Sequence, residues 1–427
     1  MDYLLSFFSY CLPCFPNLSI PSIKINKIKF KILKLLGEGS YSFVYLILQQ
    51  SSARSLASST QQYSSSSLFA LKKIKCLYGN QDEIYKKSLI EISNYKKFEK
   101  LKNPHLINMI TYEILNDYDG SKSIYIVLPY FENSLQDKIN NHLLNNETFY
   151  DESDGIEILK IFIGICRGVS VLHNYKSKVR KKRRVKNSSN VFDQTTPETE
   201  TLLNDDENEI QVGSNEVQGI SDDNDDDNDD DDDDEDDDED FGNESQRNSF
   251  NLNSLVEPSP YGHFDLKPSN IMMSPEGLPV VSDLGSCKPA RTIIKNKQQA
   301  LNMTDFVQQY CSLPYRAPEL FQIDINQEID ESVDIWSLGC ILYSILFNYS
   351  PFEKLEIEQG GNLSFIIQKG KFEIPKINDD NDNDNHKYSQ GLIKLIQNCL
   401  KINAKERPNI NELLESSLKL LRNQEEN

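Results

Sequence analysis

The stretch His263-Phe264-Asp265-Leu266-Lys267-Pro268-Ser269-Asn270 brings a carboxylate, an ammonium and a carboxamide within six residues, and the reading of the whole chain turns on it. It is the centre of an ordered series. Upstream, Leu36-Gly37-Glu38-Gly39-Ser40-Tyr41-Ser42-Phe43-Val44 lies between two strand-like runs, and Phe69-Ala70-Leu71-Lys72 ends an alternating strand on a lysine. Glu91 sits in the helical pattern that follows, where it can pair with Lys72. Downstream come Asp283-Leu284-Gly285 after an apolar strand, then Ala317-Pro318-Glu319, then Asp334-Ile335-Trp336-Ser337-Leu338-Gly339.

Taken singly these are weak signals. Two glycines in a hairpin make an ordinary tight turn, although the missing Cβ also lets backbone N–H groups approach phosphate oxygens. A lysine after apolar residues is an ordinary solvated strand end. The order and spacing of six motifs together are specific, and the series resembles the eukaryotic protein kinases over about 29–422, inserts excluded. The resemblance implies a bilobal α+β fold, with a β-rich N-lobe (29–128) and an α-rich C-lobe (132–422). It implies a serine/threonine protein kinase that transfers the γ-phosphate of ATP to protein hydroxyls with Mg²⁺.

The same resemblance assigns roles. Leu36, Gly37, Glu38, Gly39, Ser40, Val44 and Ala70 would surround the nucleotide, and Pro129, Tyr130 and Phe131 would meet the adenine, with Leu128 as gatekeeper. Lys72 would contact the α/β-phosphates and pair with Glu91. Asp265 would accept the substrate hydroxyl proton, and Lys267 would stabilise the transferring phosphoryl group. Asn270 and Asp283 would hold the metal, and Ser312 would tie Asp265 to Lys267. Glu319 with Arg407, Asp334, and His263 with Leu284 match scaffold positions. Glu91 stands further ahead of Pro104 than is common, which suggests a lengthened loop after its helix, with Glu99 as the other possible partner of Lys72.

Ile165-Cys166-Arg167-Gly168, Asp283-Leu284-Gly285-Ser286 and Tyr315-Arg316-Ala317-Pro318-Glu319-Leu320-Phe321 resemble the Numb-associated kinases. Within them the look is that of the myristoylated-and-palmitoylated branch, which includes fungal vacuole-membrane members. That branch also has serine at the position of Ser42 and leucine in the motif of Leu284, and its activation segment has an extra helix, which Gln298–Gln309 would supply. Tyr310 and Ser312 are hydroxyls of that segment open to phosphorylation. Phe264 departs from the family's arginine, which pairs with an activation-segment phosphate in kinases switched that way. The resemblance therefore implies activity with little dependence on that switch. The alternative is a weakly active or inactive kinase-fold scaffold whose acidic insert binds basic partners.

The chain has 427 residues, 38% of them hydrophobic, and a formal net charge of -21. The charge is uneven: residues 174–260 hold 27 acids and 9 bases, and 17 of the 19 positions of 222–240 are Asp or Glu. Such a block repels itself and cannot bury apolar area, so 174–260 is expected to be a disordered insert in an otherwise near-neutral body. Its first part, Lys176 to Lys186, has eight basic residues of eleven, which reads as a nuclear signal, a lipid patch or a solvated run pairing with the acids. Nucleic acid is not an expected partner.

Residues 1–28 are apolar and aromatic but broken by Pro13, Pro16 and Pro21, too short to span a bilayer. They have no charged signal-peptide start, so a reducing compartment with free thiols is expected. Asp2 stands where myristoylation needs glycine. Cys11 and Cys14 resemble the branch's palmitoylation sites, with Lys24, Lys27, Lys29 and Lys31 close by. Two acyl chains suffice for stable anchoring, so the cytoplasmic face of a vacuolar or Golgi membrane is the expected location; the alternative is an apolar tail packed on the kinase lobe, with the protein in the cytoplasm.

Overall fold

The computed structural model describes residues 21–39, 41–50, 68–145, 152–178, 256–375 and 390–426. The chain divides into two units, Met1–Ser177 with Val256–Asn427, and Lys178–Leu255. The first carries every motif quoted above. Cys11, Cys14, Ser40, the acidic tract and the Ser/Gln-rich stretch 51–67 lie outside the described residues.

Six antiparallel strands open the fold: β1 (Ser22–Ile25), β2 (Ile28–Glu38), β3 (Ser42–Gln49), β4 (Leu68–Cys76), β5 (Thr111–Asn116) and β6 (Lys122–Pro129), in the order β1-β2-β3-β4-β6-β5. The sheet thus begins at Ser22, ahead of the expected domain start at 29. The reason is burial: Ile25 is 0% exposed and joins Phe30, Ile47, Leu71 and Val127 in a small core on one face. Asn26, in the β1–β2 turn, fastens that edge of the sheet to the other. Its amide donates to Thr111 Oγ1 (2.6 Å) and to the Tyr112 carbonyl (2.9 Å) on β5. β6 is buried along most of its length because strands flank it on both sides.

Helix α1 (Glu83–Glu99) starts on an Asp82 cap, whose carboxylate accepts from the Ile84 N–H, and packs Ile92, Tyr95 and Phe98 into the main core. The residues between Glu91 and Pro104 continue the helix to Glu99 and end in a turn at Lys102 (φ +47), so the expected lengthened loop is mostly helix.

After β6 the chain is largely helical: α2 (Leu135–Asn145), α3 (Glu152–His173), α4 (Lys297–Tyr310), α5 (Ser332–Phe347), α6 (Glu353–Gln359), α7 (Leu363–Lys369), α8 (Gln390–Cys399) and α9 (Ile410–Glu425). α5 is apolar nearly all round and buried all round, as such a helix must be. The neck of the insertion is narrower than 174–260. Tyr175 and Tyr261 meet edge-on (5.6 Å), each also stands edge-on to Phe98 at 5.4 Å, and the Ser259 N–H donates to the Tyr175 carbonyl at 2.9 Å. Packing of the three rings fixes Tyr175 and Tyr261 against α1. The six described cysteines are free and buried, and burial pushes the Cys76 thiol up to about 11 and that of Cys311 up to about 12.

Candidate active site

A small hairpin brings the two expected metal ligands together. Ile271–Met273 pairs antiparallel with Pro279–Val281, Ile271 opposite Val281. Asn270 precedes the first strand and Asp283 follows the second, so both stand at the same end, tied by the Ser282 N–H donating to the Asn270 carbonyl (2.9 Å). Asn270 Nδ2 donates to the Asp265 carbonyl (2.8 Å) and to Asp265 Oδ2 (3.1 Å). That leaves Oδ1 as the side chain's free acceptor.

Asp265 is held from several sides. Lys267 Nζ donates to its Oδ2 (2.9 Å) and to Ser312 Oγ (2.7 Å), and the Ser312 N–H donates to Asp265 Oδ1 (3.0 Å). Ser312 thus joins Asp265 to Lys267 by backbone as well as hydroxyl. Beneath the loop lies Asp334, fully buried. It accepts from the His263 N–H (2.7 Å), the Phe264 N–H (2.9 Å) and His173 Nε2 (3.0 Å). Burial alone would raise the Asp334 carboxyl; the bond and charge of His173, with those of His263, outweigh it and hold the carboxyl below its ordinary value.

On the sheet side, Lys72 Nζ stands 2.7 Å from Glu91 Oε1 and 3.6 Å from Asp283 Oδ1. Glu99, at the helix end, is exposed. Burial works against the Lys72 ammonium, yet Glu91 and Asp283 together hold its pKa above the ordinary lysine value. In turn Lys72 holds Asp283 below the usual carboxylate range, so Asp283 is ionised near neutrality. Asp283 takes the left-handed region (φ +59), with its side chain half exposed. Oxygen donors of this kind, a carboxylate and a carboxamide, suit a hard divalent cation.

The glycine hairpin of β2 and β3 lies beside the strand of Lys72, with Val44 opposite Lys72. Gly37 pairs with Val44 and Glu38 with Phe43, and the Gly39 N–H donates to the Ser42 carbonyl (2.8 Å). A Cβ at Gly39 would stand 3.0 Å from Ser42 Oγ, so a serine in the third position is accommodated by the glycine before it. Leu36 is exposed at the end of the β2 run; Ala70 lies opposite Leu128 on β4 and β6, and β6 ends at Pro129, followed by half-buried Tyr130 and Phe131.

Several residues of the site carry no sequence signal. Asn94 Nδ2 on α1 donates to the Leu284 carbonyl (3.0 Å) and the Cys287 carbonyl (2.8 Å), locking the segment after Asp283 to the helix that carries Glu91. Ser286 Oγ donates to the His263 carbonyl (2.6 Å). Further off, Arg407 grips both oxygens of Glu319 (2.7 and 2.8 Å) and also donates to the Ser332, Lys401 and Ile402 carbonyls.

Residues 261–418 match the family model for the protein kinase domain. The chain is 35% identical over 404 residues to "Serine/threonine-protein kinase ENV7" of Saccharomyces cerevisiae, covering 94% of this chain and 95% of that one. It is 29% identical to "Serine/threonine-protein kinase ppk13" of Schizosaccharomyces pombe, over 91% and 90% of the two chains. To "Serine/threonine-protein kinase 16" of Homo sapiens it is 36% identical over 154 residues, 36% of this chain and 47% of that one. With the two ionic clusters joined at the end of the hairpin that carries Asn270 and Asp283, these likenesses mean that the chain belongs to the eukaryotic protein kinase family, in its Numb-associated serine/threonine branch.

Proposed function

We propose that this serine/threonine kinase works on protein substrates at the cytoplasmic face of an endomembrane, and that Lys72, Glu91, Asp265, Lys267, Asn270, Asp283 and Ser312 carry the transfer. The observation that supports the assignment is the pair of ionic clusters: Lys72 between Glu91 and Asp283, and Asp265 held by Lys267, Asn270 and Ser312.

Phosphoryl transfer asks a protein mainly for positioning and charge. Lys72, aimed by Glu91, binds the α/β-phosphates, and the Gly37/Gly39 hairpin covers them. Asp265 orients the substrate hydroxyl and accepts its proton. Lys267, kept beside it by Ser312, stabilises charge on the transferring group. Asn270 Oδ1 and the Asp283 carboxylate would hold Mg²⁺, which supplies neutralisation of phosphate charge when bound. Leu36, Val44 and Ala70 line the adenine side, opposite the chain at Pro129, Tyr130 and Phe131. A scaffold without activity is not favoured, since none of the ionic groups is replaced. Transfer of labelled phosphate from ATP to a protein acceptor tests the reading. Wild-type signal no higher than that of Asp283→Asn would refute it.

The membrane part is supported by composition and by the β1–β2 hairpin. Among the described residues no helix is long and apolar enough to cross a membrane. Lys24 lies directly opposite Lys29, and Lys31 opposite Ser22, on the hairpin that follows the apolar segment with Cys11 and Cys14. Acylation of both cysteines with this basic edge would hold the kinase on an anionic, vacuolar or Golgi, surface, where a role in membrane traffic or fusion is proposed. Cys11→Ser with Cys14→Ser is expected to move the protein to the soluble fraction; an unchanged membrane fraction would overturn this.

A further inference from the structure

We propose that Phe306, on α4, is a positioning residue for the transfer: its ring holds Phe264, and through it Asp265, in working geometry without a phosphate on the activation segment. This rests on the assignment of Asp265 above and adds what keeps that carboxylate in place.

Phe264 directly precedes Asp265, is 4% exposed and takes φ +65. A bulky residue there is strained, so its surroundings must hold it. The backbone is held by Asp334, which accepts its N–H at 2.9 Å. The ring has a place on one side because Gly262 has no side chain: a Cβ there would come within 2.7 Å of Phe264 Cε2. On another side stands Phe306, edge-to-face at 5.5 Å and 86°. Lys288 covers the Phe306 ring, its ammonium 4.2 Å from the centroid. Lys288 also lies opposite Gly262 in the two-stranded ladder of Tyr261–Gly262 with Lys288–Pro289. The four residues therefore close on one another.

An arginine at 264 would need an anion opposite it, whereas a phenylalanine edge is satisfied by a ring. α4 is ordered by its own sequence: Asn296 accepts from the Gln299 N–H as a cap, and Met303 and Val307 are buried. The same helix reaches α1, where Lys87 Nζ donates to Gln309 Oε1 at 2.7 Å, and Tyr310 packs on Phe306 at 5.0 Å. One element thus touches both the helix of Glu91 and the loop of Asp265.

The test uses the full chain. Phosphatase-treated wild type is expected to keep its kcat; a fall of about tenfold or more, the scale on which misplaced catalytic groups lose rate, would overturn the proposal. Phe306→Ala should lower kcat about tenfold with KM for ATP within about twofold, and Phe306→Leu should recover most of the loss. Calorimetric binding of an ATP analogue confirms that each variant is folded. Phe306→Glu should be impaired alone and partly rescued by adding Phe264→Arg, since an ion pair then replaces the ring pair beside Lys288. Unchanged kcat in Phe306→Ala, or equal impairment of Phe306→Glu with and without Phe264→Arg, would sink the idea. Asp265→Ala tests the underlying assignment separately. If it stays active, that assignment fails; if it is dead while Phe306→Ala turns over normally, only this inference fails. Should Phe306→Ala not fold, the phosphatase result decides.

Discussion

Glu91→Gln removes one charge from the site while keeping the side chain's shape. The Glu91 side chain is 6% exposed and that of Lys72 is 18% exposed, at 2.7 Å, with Asp283 the ammonium's other anion at 3.6 Å. At an effective dielectric of about 20, Coulomb's law gives about 6 kcal/mol for the first contact and about 5 for the second, before desolvation offsets most of it. With Glu91 neutral, the balance that keeps Lys72 on the α1 side is gone. The ammonium should shift toward Asp283 and neutralise the carboxylate proposed to hold Mg²⁺. Breaking a buried pair costs about 3–5 kcal/mol, and the amide oxygen can still accept from Lys72, so the lower end applies. At about 2–4 °C per kcal/mol, that lowers Tm by about 6–12 °C. Scanning calorimetry measures this, and steady-state transfer with ATP titrated should show kcat/KM down about 100-fold, close to 3 kcal/mol of transition-state stabilisation. A variant with wild-type kcat/KM and an unshifted Tm would refute the idea that this pair organises the site.

Three further expectations can be checked alongside. Arg407→Lys replaces a fork on half-buried Glu319 by a point charge at a fully buried side-chain position, and should lower stability by about 3 kcal/mol in urea unfolding; an unchanged midpoint would count against it. Gly168→Ala would put a Cβ 2.3 Å from the His105 carbonyl oxygen and 2.7 Å from Val281 Cγ2, so overpacking of about 1–3 kcal/mol is expected; wild-type Tm would show that α3 can give way. The folded Asp334 carboxyl lies below its ordinary value, so its contribution is complete above the unfolded value of about 3.9 and is lost as pH falls through the folded one. Asp334→Asn should therefore be less stable than wild type at pH 7, and denaturant titrations should find the gap narrowing below about pH 4; a constant gap would refute the coupling.

Much of the site was legible because its motifs are local. Asp265, Lys267 and Asn270 share one short loop, and the hairpin that aligns Asn270 with Asp283 is itself short, so residue types at fixed spacing carried the chemistry. α4 was legible too, at Lys297–Tyr310 against the expected Gln298–Gln309. The sheet edge was less so. Ser22–Ile25 looks like the end of an apolar tail until Ile25 is seen buried against Phe30 and fastened through Asn26 to β5, far along the chain.

What the sequence by itself determined is the order of its motifs, hence the two-lobed kinase architecture and the kind of reaction, and with them the set of groups proposed to react. Tertiary structure alone decided which groups hold them. It chose Glu91 over Glu99 for Lys72, because only the former faces inward from α1. It put Asn94 on the backbone after Asp283, and it set the Phe306 ring edge-on to Phe264. Those partners lie tens to hundreds of residues apart, and nothing in the local chemistry of either one names the other until packing has brought them within a few ångströms.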